Sequence, residues 1–180
     1  MDLKRLSDKA SSCTYCELGF RDGPAPFENG NVNASIFICG NTYGQTFIGK
    51  PGKLLNRILS KAGLDFSQIY TTHLIKCYLG SSEVLKESWI EACFPYVIAQ
   101  IAAVRPKIVI ALGKDVVAAL MGEDSKTLSV INGVMFKYSK DISIMPTYNP
   151  SYLIKTGGQI SPKFNETVKH FQRVRDMCYY

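Results

Sequence analysis

Four cysteines, Cys13, Cys16, Cys77 and Cys93, stand where a metal centre could use them. Cys13 and Cys16 form a C-x2-C pair in "SSCTYCELG", a spacing that lets two thiolates grip one centre from a single turn. Cys77 and Cys93 lie at the two ends of "CYLGSSEVLKESWIEAC", a separation longer than the second knuckle of a zinc ribbon. If the fold joins the pairs, the result is a four-sulfur site, and both zinc and a 4Fe-4S cluster accept four thiolates. The wide second spacing demands assembly by tertiary structure and favours the cluster. The competing use of a cysteine is burial, because the free thiol is among the most buried side chains. Cys39, in "IFICG", and Cys178, near the end of the chain, are assigned to the core on that ground.

The elements that must position these sulfurs can be read from apolar pattern and punctuation. "ASIFIC" is a short run rich in β-formers, followed by "GNTYGQTFIGKPGK" and the helix-like "KLLNRILSKAG". The order then recurs: strand "IYTTHLI", long helix "EVLKESWIEACFPYVIAQIAAV", buried strand "KIVIAL", helix "GKDVVAALMG". A hairpin-like piece is expected around Val130 to Tyr138, then the strand "ISIMP", the loop "TYNPSYLIKTGGQ" and a closing helix from Pro162. Strands alternating with helices predict one α/β domain over residues 1–180, a short central parallel sheet flanked by helices in three α/β/α layers. Such sheets bind ligands at the carboxyl ends of their strands, which singles out the loops after Cys39, Ile75 and Met145.

Composition narrows the function. With 180 residues, 46% apolar and 20% charged, the chain is long enough for a full core without disulfide staples. No apolar run reaches the length of a membrane span, so no membrane role is expected. "MDLKRLSDKASSC" lacks the apolar stretch of a secretory leader, which predicts a cytoplasmic protein in which disulfides are a poor default. The net charge of +6 favours a polyanionic partner.

Taken in order, "CTYC", "TFIGKPGKLLNRIL", "HLIKC", "EACFPYVIAQI", "RPKIVIALG" and "PTYNPSYL" give the chain its family likeness. It resembles the iron-sulfur uracil-DNA glycosylases, the family 4 branch of the uracil-DNA glycosylase superfamily, over nearly its whole length. The resemblance implies that Cys13, Cys16, Cys77 and Cys93 hold a structural 4Fe-4S cluster that ties an N-terminal loop to the core. It implies excision of uracil or a related base from DNA by hydrolysis of the N-glycosidic bond. Phe47 then stacks on the flipped base, and the exposed helix entrance around Lys50 and Lys53 takes a phosphate.

The chain departs from its family at working positions. The first catalytic motif, Gly-Glu-Ala-Pro-Gly in the family, reads "GNTYG", which puts Asn41 in the place of the glutamate. His73 precedes "LIKC" where the family has asparagine, and "NPS" with Asn149 replaces "HPS". One reading keeps an enzyme: Asn41 places the water, His73 reads the base edge, and Asn149 aids the leaving base. The other is a catalytically silent relative, binding DNA or a protein in replication, repair or defence, because loss of a charged water-positioning group costs about two to four orders of magnitude. In either case the partner is DNA, single- or double-stranded, with a replication or repair protein as a further candidate, and the chain is expected to act as a monomer. Ser151, Tyr152, Leu153 and Lys155 of "NPSYLIKTGG" are the expected DNA contacts, Tyr152 and Leu153 as a minor-groove wedge and Lys155 on a phosphate.

Overall fold

The computed structural model describes residues 2–27, 29–79, 83–122 and 127–180. In chain order the elements are α1 (Leu3–Ser11), α2 (Leu18–Arg21), β1 (Asn29–Gly30), β2 (Ile36–Gly40), α3 (Tyr43–Thr46) and α4 (Gly49–Ala62). They continue as β3 (Ile69–His73), α5 (Glu87–Val104), β4 (Ile108–Leu112), α6 (Lys114–Met121) and α7 (Leu128–Ile131). The last are β5 (Phe136–Lys137), β6 (Ser143–Thr147), α8 (Pro150–Lys155) and α9 (Pro162–Tyr179).

The sheet runs β1-β3-β2-β4-β6-β5. Its four central strands are parallel, and the two-residue strands β1 and β5 pair antiparallel at the edges. Side-chain alternation sends one set to each face. Ile36 and Ile38 of β2 and Ile108, Ile110 and Leu112 of β4 pack with α4, α8 and α9. Phe37, Cys39, Val109 and Ala111 pack with α5 and α6 on the other side. Both faces are covered, which is why these strands read as unbroken apolar runs. From β2 the chain moves outward to β3 on one side and later to β4 on the other, so the switch point lies between β2 and β4.

Three expectations are corrected. The piece around Val130 is not a hairpin: α7 and a turn lead into β5, which pairs with β6. The long helix begins at Glu87 instead of Glu83. "NPSYLIK" is helical, because Asn149 caps the first turn and Pro150 follows at the first helical position, where its missing N–H costs nothing. Cys39 and Cys178 are buried as expected.

Candidate active site

The cleft is built on the carboxyl ends of β2, β4 and β6. Asn41 follows β2 directly, Gly113 follows β4, and Asn149 lies two residues past β6. Gly113 takes φ +94°, which glycine alone adopts readily, and its N–H donates to the Thr147 carbonyl at 2.8 Å. A Cβ at Gly113 would stand 3.2 Å from the Asn41 Oδ1 and 3.2 Å from the Asn149 Cβ. The absence of that carbon leaves the two carboxamides facing a shared space.

Each carboxamide is turned by its partners. The Asn149 Oδ1 accepts the Ser151 backbone N–H at 3.0 Å and the Ser151 hydroxyl at 2.8 Å. Its Nδ2 donates to the Thr46 Oγ1 at 3.3 Å and points toward the Leu112 carbonyl at 3.5 Å. Asn41 is turned the opposite way: its Nδ2 donates to the Asp115 Oδ2 at 2.7 Å, and its buried Oδ1 has no hydrogen-bond partner among the described residues. Asn41 therefore turns an acceptor toward the cleft, whereas the NH2 of Asn149 borders the same space while held by Thr46 and Leu112. A cavity of about 730 Å3 opens beside them, walled by Asp115, Leu128, Tyr148, Tyr152 and Lys155.

Phe47 and His73 line a neighbouring cavity of about 290 Å3 with Tyr43, Asn29, Asn56 and Phe66. Between the two cavities sits the single turn of α3, pressed so closely on β2 that any side chain at Gly40 would collide with Thr46. The four candidate active-site residues thus fall in two adjoining cavities, Asn41 and Asn149 in one, Phe47 and His73 in the other. His73 ends β3 in register with Gly40, its ring centroid 5.6 Å from Tyr43 and 6.3 Å from Phe47. Burial holds its pKa well below the usual value, with the nearby Lys76 charge adding to the effect, so the ring is neutral at pH 7. Its Nε2 is buried without a hydrogen-bond partner among the described residues.

Lys50 and Lys53 are exposed on the first turns of α4, whose N-terminus has no side-chain cap, and they flank a shallow cavity with Arg57 and Gly158. Ser151, Tyr152 and Lys155 line the larger cavity. Leu153 does not belong with them. It is 0% exposed and packs in the core with Phe164 and Leu55, which corrects its expected place in a wedge, whereas Tyr152 is 40% exposed. Helical spacing explains this: in α8, neighbouring residues point in different directions, where an extended loop could have presented both. The Tyr152 hydroxyl is held by the Lys163 Nζ at 2.6 Å, and its ring lies 5.2 Å from that of Tyr148.

All four candidate metal-ligating cysteines are free thiols. Cys77 is tied to the N-terminal segment by a bridge to Pro24, flanked by hydrogen bonds from Ala25 N–H to Lys76 O and from Tyr78 N–H to Gly23 O. Cys93 projects from α5 into a small cluster with Cys77, Cys16, Leu18 and Trp89. Burial first, then the charges of Cys93, Cys16 and Cys13, push the Cys77 thiol up to about 12. Cys93 is raised by burial and also feels Cys16 and Cys13. The two distant pairs are thus neighbours, although among the described residues no group of three or more His, Cys, Asp or Glu is arranged as it stands to hold a metal ion.

Asp115, Gly113, Thr46 and Tyr43 had no place in the sequence reading of the site. The rule that selected the loops after the other parallel strands applies equally to the loop after Leu112, and an acidic residue in the first turn there was the available signal.

Comparison with known proteins agrees with this architecture. The sequence profile of the Uracil DNA glycosylase superfamily matches residues 27–173. The chain is 28% identical to the type-4 uracil-DNA glycosylase of Sulfurisphaera tokodaii, over 98% of this chain and 84% of that protein. It is 32% identical to the type-4 uracil-DNA glycosylase of Saccharolobus solfataricus, over 83% of this chain and 76% of that protein. For the type-4 uracil-DNA glycosylase of Pyrobaculum aerophilum the identity is 27%, over 86% of each chain.

Proposed function

The chain belongs to the uracil DNA glycosylase superfamily, on its type-4 branch, and from that premise we propose that it excises uracil from DNA by hydrolysis of the N-glycosidic bond. One observation carries the reading at the level of residues. Asn41 and Asn149 flank the space above Gly113, the Asn41 oxygen unpartnered among the described residues and the Asn149 NH2 held by long bonds to Thr46 and Leu112 that a departing base would replace. Such a hydrolysis needs both: an acceptor to orient the attacking water and a donor for the oxygen of the departing base. Asn41 does the first in place of a carboxylate, and Asn149 does the second. Phe47 offers an aromatic face to the flipped base, and the neutral His73 reads its edge from the neighbouring cavity. Lys50, Lys53, Ser151, Tyr152 and Lys155 hold the DNA, with Tyr152 at the surface where a base step would unstack.

Cys13, Cys16, Cys77 and Cys93 would hold a 4Fe-4S cluster. Support comes from the donor set: four free thiols drawn together from separated segments, with the ionisation of Cys77 and Cys93 opposed first by burial and also by the other sulfurs. A bound cluster would supply the positive charge that lets the buried Cys77 and Cys93 enter as thiolates. Cys13 and Cys16 from the N-terminal segment, Cys77 from the stretch after β3 and Cys93 from α5 would be the residues that hold it. When bound, the cluster supplies a cross-link between the segment carrying α1 and α2 and the sheet; Asn41, Phe47, His73 and Asn149 perform the steps at the base.

The test is an oligonucleotide panel. Purified protein is incubated with single- and double-stranded DNA carrying uracil, hydroxymethyluracil or a mismatch, and abasic sites are cleaved with alkali. Breaks at uracil that vanish in Asn41→Ala and Asn149→Ala are expected. Tight, salt-sensitive binding with no breaks on any substrate would overturn excision in favour of the accessory role.

A further inference from the structure

The chain has an asparagine where its family has a catalytic glutamate, yet a carboxylate stands beside that asparagine. It comes from another part of the chain. Asp115 opens α6, 74 residues downstream, and reaches Asn41 because β2 and β4 are neighbours, with Cys39 opposite Ala111. The N-terminus of the helix adds a favourable field for its negative charge.

A carboxamide alone is ambiguous, since its oxygen and nitrogen ends have nearly the same shape and a half-turn exchanges acceptor for donor. A carboxylate removes the ambiguity, because it only accepts. The Nδ2 of Asn41 must turn toward Asp115, at 2.7 Å, and the Oδ1 must turn away from it. That oxygen is buried, has no hydrogen-bond partner among the described residues, and lies beside the space left open above Gly113. Asp115 itself is only half buried and lines the larger cavity.

We propose that Asp115 is a positioning residue that fixes the Asn41 carboxamide with its oxygen toward the cleft, making Asn41 an obligate acceptor for the attacking water. This rests on the excision reading. The charge lost from the first motif is thereby retained one residue further out: Asp115 polarises the amide through its N–H, and the amide oxygen holds the water. Asp115 removes no proton from the water itself.

Two measurements decide it. In the first, single-turnover excision from uracil-containing DNA is compared for the wild type, Asp115→Ala, Asn41→Ala and the double variant. Asp115→Ala should lower kcat by about 10- to 100-fold with KM unchanged, as a misplaced catalytic group does. In the Asn41→Ala background the same change should cost nothing further. Losses that multiply would overturn the proposal, because Asp115 would then act without Asn41. The swap Asn41→Asp/Asp115→Asn restores one donor and one acceptor and should recover activity relative to Asn41→Asp, which opposes two carboxylates. In the second, the side-chain NH2 signals of 15N-labelled protein are recorded, with Asn41 assigned by its loss in Asn41→Ala. The Asn41 pair should stand downfield and shift in Asp115→Asn, whereas an unchanged pair would overturn the proposal. Wild-type protein that cleaves no substrate would defeat the excision reading, leaving the orientation of Asn41 to be decided by this second measurement.

Discussion

Asn149 accepts both the backbone N–H and the hydroxyl of Ser151 at a single oxygen, at 3.0 and 2.8 Å, so the cap of α8 and the direction of the Asn149 NH2 are set by the same atom. The two roles can be separated by substitution. Asn149→Asp keeps the capping oxygen but loses the donor, whereas Asn149→Ala loses both. Unfolding measurements should place Asn149→Ala about 1 kcal/mol below wild type and Asn149→Asp near it. Excision should fall by about 10²- to 10³-fold in both, the usual cost of removing one donor to a developing negative charge. An active Asn149→Asp would remove Asn149 from the reaction.

Tyr152 and Leu153 are adjacent in sequence and opposite in role. Leu153→Ala empties a fully enclosed position and should cost about 2–5 kcal/mol in urea unfolding. Tyr152→Ala should leave stability nearly unchanged and weaken binding to duplex DNA. The reverse pattern, a stable Leu153→Ala protein that no longer binds DNA, would return leucine to the wedge.

Lys50 and Lys53 project from the uncapped start of α4. If each neutralises one phosphate, Lys50→Ala/Lys53→Ala should reduce the slope of log K against log salt by roughly 2 on duplex DNA. The weakening should be the same for DNA with and without uracil, because phosphate contacts carry no base information. A loss confined to uracil-containing DNA would place these lysines in the base pocket instead.

The sheet was legible because strands buried on both faces leave no polar residue in the run: Ile36 to Cys39 and Ile108 to Leu112 are entirely apolar. The neighbouring of the cysteine pairs could also be anticipated, since a C-x2-C pair alone supplies half of a four-ligand site. Two features escaped. Gly157 and Gly158 pulled the reading of "NPSYLIKTGG" toward a loop, yet they lie beyond Lys155, and Asn149-Pro150 is a helix start. Asp115 could be noticed as an acidic residue in the first turn after Leu112, but its pairing with Asn41 depends on which strands become neighbours across the switch point. Likewise, periodicity says nothing of the close packing of Thr46 on Gly40 that sets Phe47 and His73 in a cavity of their own.

Burial of the neutral His73 ties stability to pH in a definite direction. Its folded pKa is depressed, so below about pH 6.5 the unfolded chain takes up a proton that the folded chain refuses. Stability is therefore full above that pH and declines as pH falls toward the folded value, with a slope of up to about 1.4 kcal/mol per pH unit from this group. His170, also lowered chiefly by burial, adds to the same limb. Urea unfolding from pH 8 to pH 5 should show the decline, and His73→Asn should make it shallower. An unchanged slope in that variant would mean that His73 is protonated in the folded protein.

The cysteines make the sharpest stability prediction, because their worth depends on what they bind. Without a bound cluster the segment carrying α1 and α2 is held by Leu6 and Ala10 against Phe27 and Tyr96, by Leu18 beside Trp89, and by the short pairing at Pro24 and Cys77. With a cluster bound, the same segment is cross-linked to Cys93 on α5. Purified protein should be brown, contain iron and absorb in the visible. Cys16→Ser should lose the colour and become sensitive to proteolysis ahead of Pro24, while the sheet behind it stays folded. Reconstitution with iron and sulfide should release protons in proportion to the thiols bound, because Cys77 and Cys93 enter as thiols whose ionisation is suppressed. A colourless preparation carrying one zinc per chain, with the same proteolytic protection, would replace the cluster by a single ion.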